Sequence, residues 1–155
     1  MESESLAKLL AEEPFLKGME PHLLESLAEC ATRVTFNAGE LIAHEGDAAN
    51  FFYILTQGRV GVEVFVPGRM PITIQSLTDG EVLGWSWFYP PYRWHFDARA
   101  TALTRCFAFD GRCMRAKCDS DHDLGYELAK RFANVLYERL QATRMQLIDV
   151  YSVRA

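Results

Sequence analysis

The stretch with the clearest chemical potential runs from Gly84 to Ala102 and contains all three tryptophans of the chain and a Pro-Pro step. Glycine lets the backbone approach a ligand closely, and indole rings stack on planar groups or fill apolar space. The prolines limit any helix here to about one turn. This combination predicts a small-molecule pocket; the alternative is an aromatic lid that only covers a hydrophobic core.

The residues around this stretch predict the sheets that would hold such a pocket. Between Arg33 and Asp110, short apolar alternations are separated by glycine turns, and Val60 to Val66 gives the clearest period of two. Pro67-Gly68 is typical of a hairpin. About seven or eight short strands, with turns roughly every eight to ten residues, predict an antiparallel β-roll or sandwich.

Helices are predicted on both sides of the roll. Two short amphipathic helices precede it, and Pro21 stands at the first position of the second one. A helix of about thirty residues, from His122 to Tyr151, follows the roll and is capped by Ser120 or Asp121. The expected fold is therefore α+β, mainly β, in one domain. Its predicted parts are N-terminal helices in 1–32, a ligand-binding roll in 33–110, and a hinge with the long helix in 111–155.

Two apolar faces can be counted on the predicted C-terminal helix. The first, expected to pack on the roll, comprises Leu124, Leu128, Phe132 and Val135. The second is spaced alternately by four and three residues, which is the pattern of a coiled-coil seam. Because the first face ends at Val135, we expect the second to pair with a copy of itself; the alternative is packing onto the same chain. The predicted homodimer interface is Leu136, Leu140, Thr143, Leu147 and Val150.

Composition argues against several classes of partner and compartment. The formal net charge of −5 argues against nucleic acid or an anionic membrane as the main partner. No apolar run approaches the ~20 residues of a membrane span, and the acidic N-terminus is unlike a signal peptide, so a cytoplasmic protein is expected. In a reducing compartment the four cysteines are expected as free thiols, with Cys30 and Cys106 buried.

No pattern of catalytic residues supports an enzyme. His22, His44, His95 and His122 are too widely separated for the facial metal site of a cupin-type enzyme. The spacing of the cysteines fits neither a zinc site nor an iron–sulfur cluster. We therefore predict a protein without enzymatic activity and without a metal.

Glycines at fixed offsets carry a resemblance to a known family. They occur in Gly39-Glu40-Leu41-Ile42-x-x-Glu45-Gly46-Asp47, in Gly58-x-Val60 and in Gly80-Glu81-x-x-Gly84, and the long helix adds Arg139-Leu140-Gln141-x-Thr143. The series resembles the signature of the cyclic-nucleotide-binding domain of catabolite activator and anaerobic-regulator transcription factors, protein kinase A regulatory subunits and nucleotide-gated channels. The resemblance runs from about Phe15 onward and implies the β-roll fold.

The resemblance also implies a nucleotide site in the stretch that begins at Gly84. In the family, a Gly-Glu pair contacts the ribose and an arginine pairs with the cyclic phosphate. Gly84 matches the glycine, but Trp85 stands at the glutamate position and Phe96 at about the arginine position. Arg93 or Arg99 would then have to bind the phosphate; solvent-facing positions are the alternative, which strand parity favours for Arg99.

The long helix would complete this site from the side of the dimer interface. Thr143 matches the position where the family's helix approaches the base, and Arg144 follows it. For Thr143 the alternative is a polar position in the seam, and for Arg144 it is solvent. The predicted ligand-binding set is Gly84, Trp85, Ser86, Trp87, Arg93, Phe96, Asp97, Arg99, Thr143 and Arg144, with cyclic AMP or another cyclic nucleotide as the ligand to consider.

Two functions are expected from these residues. The first is a regulatory or sensor module that binds a cyclic nucleotide or a related small molecule. The second is a ligand-free dimeric interaction scaffold whose pocket is filled by aromatic side chains. Family transcription factors continue into a helix-turn-helix after the long helix, which these residues lack, so no direct contact with nucleic acid is expected. Haem, which some family members use to sense gases, is a minor alternative with His44, His95 or a cysteine as axial ligand.

Overall fold

The computed structural model describes residues 2–154, with side chains described for residues 5–152. The predicted α+β roll with helices at both ends is confirmed within that range. The helices are α1 (Glu2–Leu10), α2 (Pro21–Ala28), α3 (Gly111–Ser120) and α4 (His122–Arg154), with a short 3-10 turn at Pro14–Leu16. The strands are β1 (Ala31–Phe36), β2 (Leu41–Ala43), β3 (Phe51–Gln57), β4 (Val60–Val64), β5 (Ile72–Leu77), β6 (Val82–Leu83), β7 (Asp97–Ala100) and β8 (Thr104–Asp110).

Two four-stranded antiparallel sheets form the roll, in the orders β1–β8–β3–β6 and β2–β7–β4–β5. The central pair of the first sheet, β3 and β8, runs from Phe51 opposite Asp110 to Gln57 opposite Arg105. Gly58 then turns the chain from β3 into β4. Its φ is 125°, and a Cβ there would lie 2.5 Å from the Thr104 hydroxyl, so this tight turn requires glycine.

Sheet residues alternate between two hydrophobic cores. In β3, Phe52 and Ile54 face the helices, whereas Tyr53 and Leu55 face the inside of the roll. We call the first cluster the helical core and the second the roll core. Because both faces of β3 are covered, this strand reads as a continuous apolar run. The helical core also contains Leu10, Leu24, Leu27, Phe109, Met114, Leu124, Leu128 and Phe132, and the roll core contains Val60, Val62, Leu77, Leu83 and Ala98.

Helix α4 begins at His122, as predicted. The Asp121 carboxylate accepts hydrogen bonds from the backbone N–H groups of Asp123 (3.1 Å) and Leu124 (3.3 Å), which would otherwise lack partners at a helix start. Three residues of the first apolar face, Leu124, Leu128 and Phe132, pack into the helical core as expected, whereas Val135 is half-buried outside it. From Ala142 to Ser152 every residue of α4 is exposed. None of the helices within the described residues is long and apolar enough to cross a membrane.

Two features differ from the sequence predictions. The segment interpreted as a hinge after residue 110 is helix α3, and the Asp110 carboxylate caps it by accepting a hydrogen bond from the Cys113 N–H at 2.9 Å. The prediction that all cysteines are free thiols is wrong, because Cys30 and Cys113 form a disulfide while Cys106 and Cys118 are free. The expected burial of Cys30 and Cys106 is confirmed.

The aromatic stack at the centre of the helical core should dominate the stability of the fold. The Phe52 ring centroid lies 4.5 Å from that of Phe109 and 4.8 Å from that of Trp87. We expect Phe52→Ala to lower the free energy of unfolding by about 3–5 kcal/mol, measured by urea denaturation. The control is Phe65→Ala, since Phe65 is exposed on the β4–β5 hairpin, and its expected change is below about 0.5 kcal/mol. Equal effects of the two substitutions would contradict this description of the core.

Candidate ligand site and helix interface

The segment between β6 and β7, residues 84–96, places its aromatic side chains in both cores. Trp87 is fully buried in the helical core, where its ring centroid lies 5.6 Å from that of Phe132 on α4. Trp94 and Phe96, each 5% exposed, lie in the roll core. Trp85 is half-buried and borders both clusters. We call residues 84–96 the aromatic segment.

Inside the roll, these rings pack on each other. The Phe96 ring centroid lies 5.5 Å from that of Trp85 and 5.8 Å from that of Trp94, with the rings inclined at about 60°. The rest of the roll core consists of Tyr53 and of mostly aliphatic side chains from both sheets. The buried polar side chains in the described part of the chain are Ser86 and Thr104. The Thr104 hydroxyl contacts the Arg59 and Ala102 carbonyls, while the Ser86 hydroxyl has no partner.

Two features constrain the backbone near the start of the aromatic segment. Gly84 has a φ of 100°, and a Cβ at this position would lie 2.7 Å from the Trp94 ring, so the close packing of Trp94 requires glycine. Three residues after Gly84, the Trp87 carbonyl oxygen accepts a hydrogen bond from Arg115 on α3 at 2.6 Å. The Arg115 guanidinium also lies 4.3 Å from the centre of the Tyr92 ring. Helix α3 therefore braces this segment directly.

Both arginines considered as phosphate ligands have partners outside the roll core. Arg93 is exposed and donates to the Gly46 carbonyl oxygen at 2.8 Å. Arg99 donates to the Gly39 carbonyl oxygen at 2.8 Å and lies 3.5 Å from Glu63. The strand-parity argument for Arg99 is confirmed, because Ala98 and Ala100 point inward and are fully buried.

The remaining predicted residues are dispersed. The Asp97 carboxylate accepts from the Glu45 N–H at 2.7 Å and lies 2.9 Å from His44 Nδ1. Thr143 and Arg144 are exposed on α4. The structure thus places Gly84, Trp85, Ser86, Trp87 and Phe96 in or beside the two cores. The side chains of Arg93, Asp97, Arg99, Thr143 and Arg144 lie outside both cores.

A surface cavity lies beside the roll core, between α4 and the turn from β5 to β6. Its volume is about 710 Å³, within the usual range of small-molecule sites. We call it the α4 groove. Its lining carries charges of both signs, since α4 contributes Lys130, Arg131, Arg139 and Glu138, and the turn contributes Asp79 and Glu81. A smaller cleft of about 300 Å³ lies at the outer edge of Trp94.

Arg139 connects the α4 groove to the aromatic segment. Its Nη2 atom donates to the Val82 carbonyl oxygen at 2.8 Å, and its guanidinium lies 4.7 Å from the centre of the Trp85 ring. Burial lowers the pKa of Arg139 to about 10, although the nearby Glu81 carboxylate opposes this change. Burial likewise raises the pKa of Glu81, and Arg139 opposes it. Arg139 thus fastens α4 to β6 and to Trp85.

Comparison with known proteins identifies the fold family. The family profile described as "Cyclic nucleotide-binding domain" matches residues 33–121, more than half of the chain. The chain belongs to the cyclic nucleotide-binding domain family. No curated protein matches it.

Three solved structures show the similarity of their fold to that of this chain. A Geobacter metallireducens protein, named as a candidate cyclic nucleotide-binding protein, is 25% identical with a TM-score of 0.77, and the match covers 86% of this chain and 97% of that one. The guanosine-bound regulatory subunit of a cAMP-independent protein kinase A from Trypanosoma cruzi is 25% identical with a TM-score of 0.65, covering 88% and 51%. The sensor domain of the transcriptional regulator DNR from Pseudomonas aeruginosa, 18% identical with a TM-score of 0.71 over 91% and 95%, shares the fold.

Within the family's nucleotide cassette, this chain carries aromatic residues where the resemblance implies polar ones. Trp85, at the position that the resemblance gives to the glutamate, contacts Arg139, and Phe96, at about the position that it gives to the arginine, is buried among aromatic rings. The sequence argument did not single out Arg139 as a functional residue. A signal for it exists, because Arg139 continues the roll-facing face four residues beyond Val135, where a charged residue interrupts an apolar pattern.

The contact between Trp85 and Arg139 should be energetically significant. In a double-mutant cycle of Trp85→Leu and Arg139→Met, we expect a coupling free energy of about 0.5–2 kcal/mol from urea denaturation, because the cation lies over a partly desolvated ring. The control is a cycle with Arg144→Met, since Arg144 is exposed on the same helix, and it should give a coupling near zero. A Trp85–Arg139 coupling indistinguishable from that control would show that the contact does not link α4 to the roll.

Proposed function

We propose that this chain is a non-enzymatic regulatory module whose roll is filled by its own aromatic side chains and whose output is the dimeric state of α4. The observation that carries this proposal is the position of Phe96, which lies in the roll core between Trp85 and Trp94 at the place implied for a phosphate ligand. The family supplies the regulatory role, and the aromatic filling distinguishes this member from a standard nucleotide binder.

Two energetic terms oppose a cyclic nucleotide in the roll. Burying a phosphate without a partner is costly, and among residues 5–152 the buried polar or charged side chains are Ser86 and Thr104, neither of which is a guanidinium. Loss of such a charge-assisted pair alone typically costs about 2–3 kcal/mol, which corresponds to roughly two powers of ten in affinity. Entry of a nucleotide would also expose Phe96 and Trp94, which are buried in the present packing. Both terms favour the filled roll.

The length and exposure of α4 support a second copy of the chain as the partner. A helix of 33 residues is about 50 Å long, and the part that follows Phe132 extends beyond the helical core. Leu140 and Leu147 are each 56% exposed, and Leu136 and Val150 are also exposed at seam spacing. Helices in proteins gain most of their stability from packing of an apolar face, which the exposed residues 142–152 lack, whereas pairing of two seams would bury these side chains. The proposed partner is therefore this chain itself.

The link between Arg139 and Trp85 gives the module a route for regulation. Because Arg139 lies on α4 one residue before Leu140 of the seam, a shift of the aromatic segment would change the position of the interface. A ligand or partner acts as a regulator only if it binds one of two such arrangements more tightly than the other. Arg139 also lines the α4 groove. A nucleoside or other small molecule bound in this groove would therefore contact Arg139 without entering the roll.

Absence of cyclic-nucleotide binding in the roll is the first expected result. With cyclic AMP, cyclic GMP or cyclic di-GMP at about 1 mM, the parent protein should show no change in melting temperature and no heat in titration calorimetry, since a ligand at many times its Kd would raise stability by more than 2 kcal/mol. The matched variant, Trp85→Glu with Phe96→Arg, restores the two polar groups and is expected to respond more strongly than the parent. Saturable binding of any of the three nucleotides to the parent would refute the proposal.

Dimerisation through the seam is the second expected result. Leu140→Asp combined with Leu147→Asp should convert the dimer to a monomer in sedimentation velocity, because the paired charges would be buried at the interface. The control is Met145→Asp with Tyr151→Asp, which changes exposed residues of the same helix outside the predicted seam and should leave the dimer intact. An intact dimer in the first variant, or a monomeric parent, would remove the seam from the proposal.

A further inference from the structure

We propose that the Cys30–Cys113 disulfide is a reversible redox clasp that determines how firmly α3 holds the aromatic segment. Cys30 lies between α2 and β1, and Cys113 lies in the first turn of α3. The bond joins positions 83 residues apart and closes a loop that contains the entire roll. This inference concerns a modification site and does not depend on what the roll binds.

The backbone around the two cysteines holds them together independently of the disulfide. The Asp110 N–H donates to the Cys30 carbonyl oxygen at 3.0 Å, and the next residue, Ala31, pairs with Phe109 in the sheet. The Asp110 carboxylate in turn caps the N–H of Cys113. With Cα atoms 5.7 Å apart, the two sulfur atoms remain neighbours after reduction, so the bond re-forms at high local concentration.

An external thiol can reach the disulfide only from the side of Cys113. Cys30 is buried, whereas Cys113 is half-buried at the surface of α3. An external thiolate therefore attacks the Cys113 sulfur, and Cys30 is the leaving group. An ion pair between Glu29 and Lys117 spans the same junction and keeps α2 against α3 in either redox state.

The same turn of α3 that carries Cys113 also braces the aromatic segment. Arg115, two residues after Cys113, donates to the Trp87 carbonyl oxygen and covers the Tyr92 ring. In the oxidised protein the start of α3 is tied covalently to the end of α2, which fixes the position of Arg115. In the reduced protein α3 is held only by non-covalent contacts, namely the hydrogen bonds of Asp110, the pairing of β1 with β8 and the Glu29–Lys117 ion pair, so the brace on Trp87 is weaker.

The other two cysteines are poor competitors for this exchange. Cys106 is buried in the roll core, and burial raises its pKa to about 12. Burial, with smaller contributions from Asp119 and Asp121, raises the pKa of the Cys118 thiol to about 11. Because the thiolate is the attacking species, neither residue readily displaces a sulfur of the Cys30–Cys113 bond near neutral pH.

The exchange balances with a low-molecular-weight disulfide of the glutathione type as oxidant. Two protein thiols and one external disulfide give the Cys30–Cys113 disulfide and two external thiols, by way of a mixed disulfide at Cys113. In the reverse direction, two external thiols donate two electrons and two protons to the protein. No metal or other group takes part.

The test compares the oxidised and reduced forms of the native protein. Without denaturant, dithiothreitol should raise the number of thiols that are titrated after rapid unfolding from two to four, and oxidised glutathione should return it to two. Reduction should accelerate amide hydrogen exchange in residues 84–96 on the order of tenfold and leave β4 and β8 unchanged. Four thiols before reduction, resistance of the bond to dithiothreitol in the folded state, or identical exchange in both forms would each overturn the proposal.

Three variants separate a clasp from a bond that only stabilises the fold. Cys118→Ser should keep the full response. Arg115→Ala should exchange rapidly at residues 84–96 in both redox states, because the brace itself is missing. Cys30→Ser with Cys113→Ser should show the hydrogen exchange of the reduced protein, and dithiothreitol should not change it. If this variant does not fold, the comparison of the oxidised and reduced native protein tests the proposal by itself. An Arg115→Ala variant that retains the full redox response would show that α3 does not act through Arg115.

Discussion

The structure depends on one packing constraint: a single loop must fill two hydrophobic cores. The aromatic segment inserts Trp87 between the helices and the outer face of β3, and it inserts Trp94 and Phe96 between the two sheets. Strand β3 serves both cores because its side chains alternate, with Phe52 on one side and Tyr53 on the other. Since the same backbone carries both sets of rings, neither core can rearrange without moving the other.

This constraint explains why the charged side chains lie outside the roll core. Trp85 and Phe96 fill the part of the roll that faces α4, so a charged side chain of α4 meets an aromatic ring there. Arg139 instead covers the Trp85 ring and binds the Val82 carbonyl, at the boundary between the roll core and the α4 groove. Trp85 therefore takes part both in filling the roll, through its contact with Phe96, and in attaching α4, through its contact with Arg139.

Much of the fold was predictable because it rests on local patterns. Glycine turns and the alternation in 60–66 predicted the strands, and Asp121 predicted the start of α4. The disulfide was missed because its cysteines meet only after the roll has formed, and α3 because it has few apolar residues, of which Met114 is buried. The partner of Arg93, a carbonyl oxygen 47 residues away, has no sequence signal. The roles assigned to the predicted ligand-binding and seam residues stay predictions.

The central claim, that the roll is filled by its own rings, is tested most directly by the indole N–H signals of the three tryptophans in nuclear magnetic resonance. We expect the Trp87 and Trp94 indole protons to exchange with solvent far more slowly than that of Trp85, because those two side chains are buried, and we expect all three signals to be unchanged by cyclic AMP at about 1 mM. Rapid exchange of the Trp94 indole, or a shift of its signal on addition of the nucleotide, would mean that the roll opens to admit a ligand and would contradict the account.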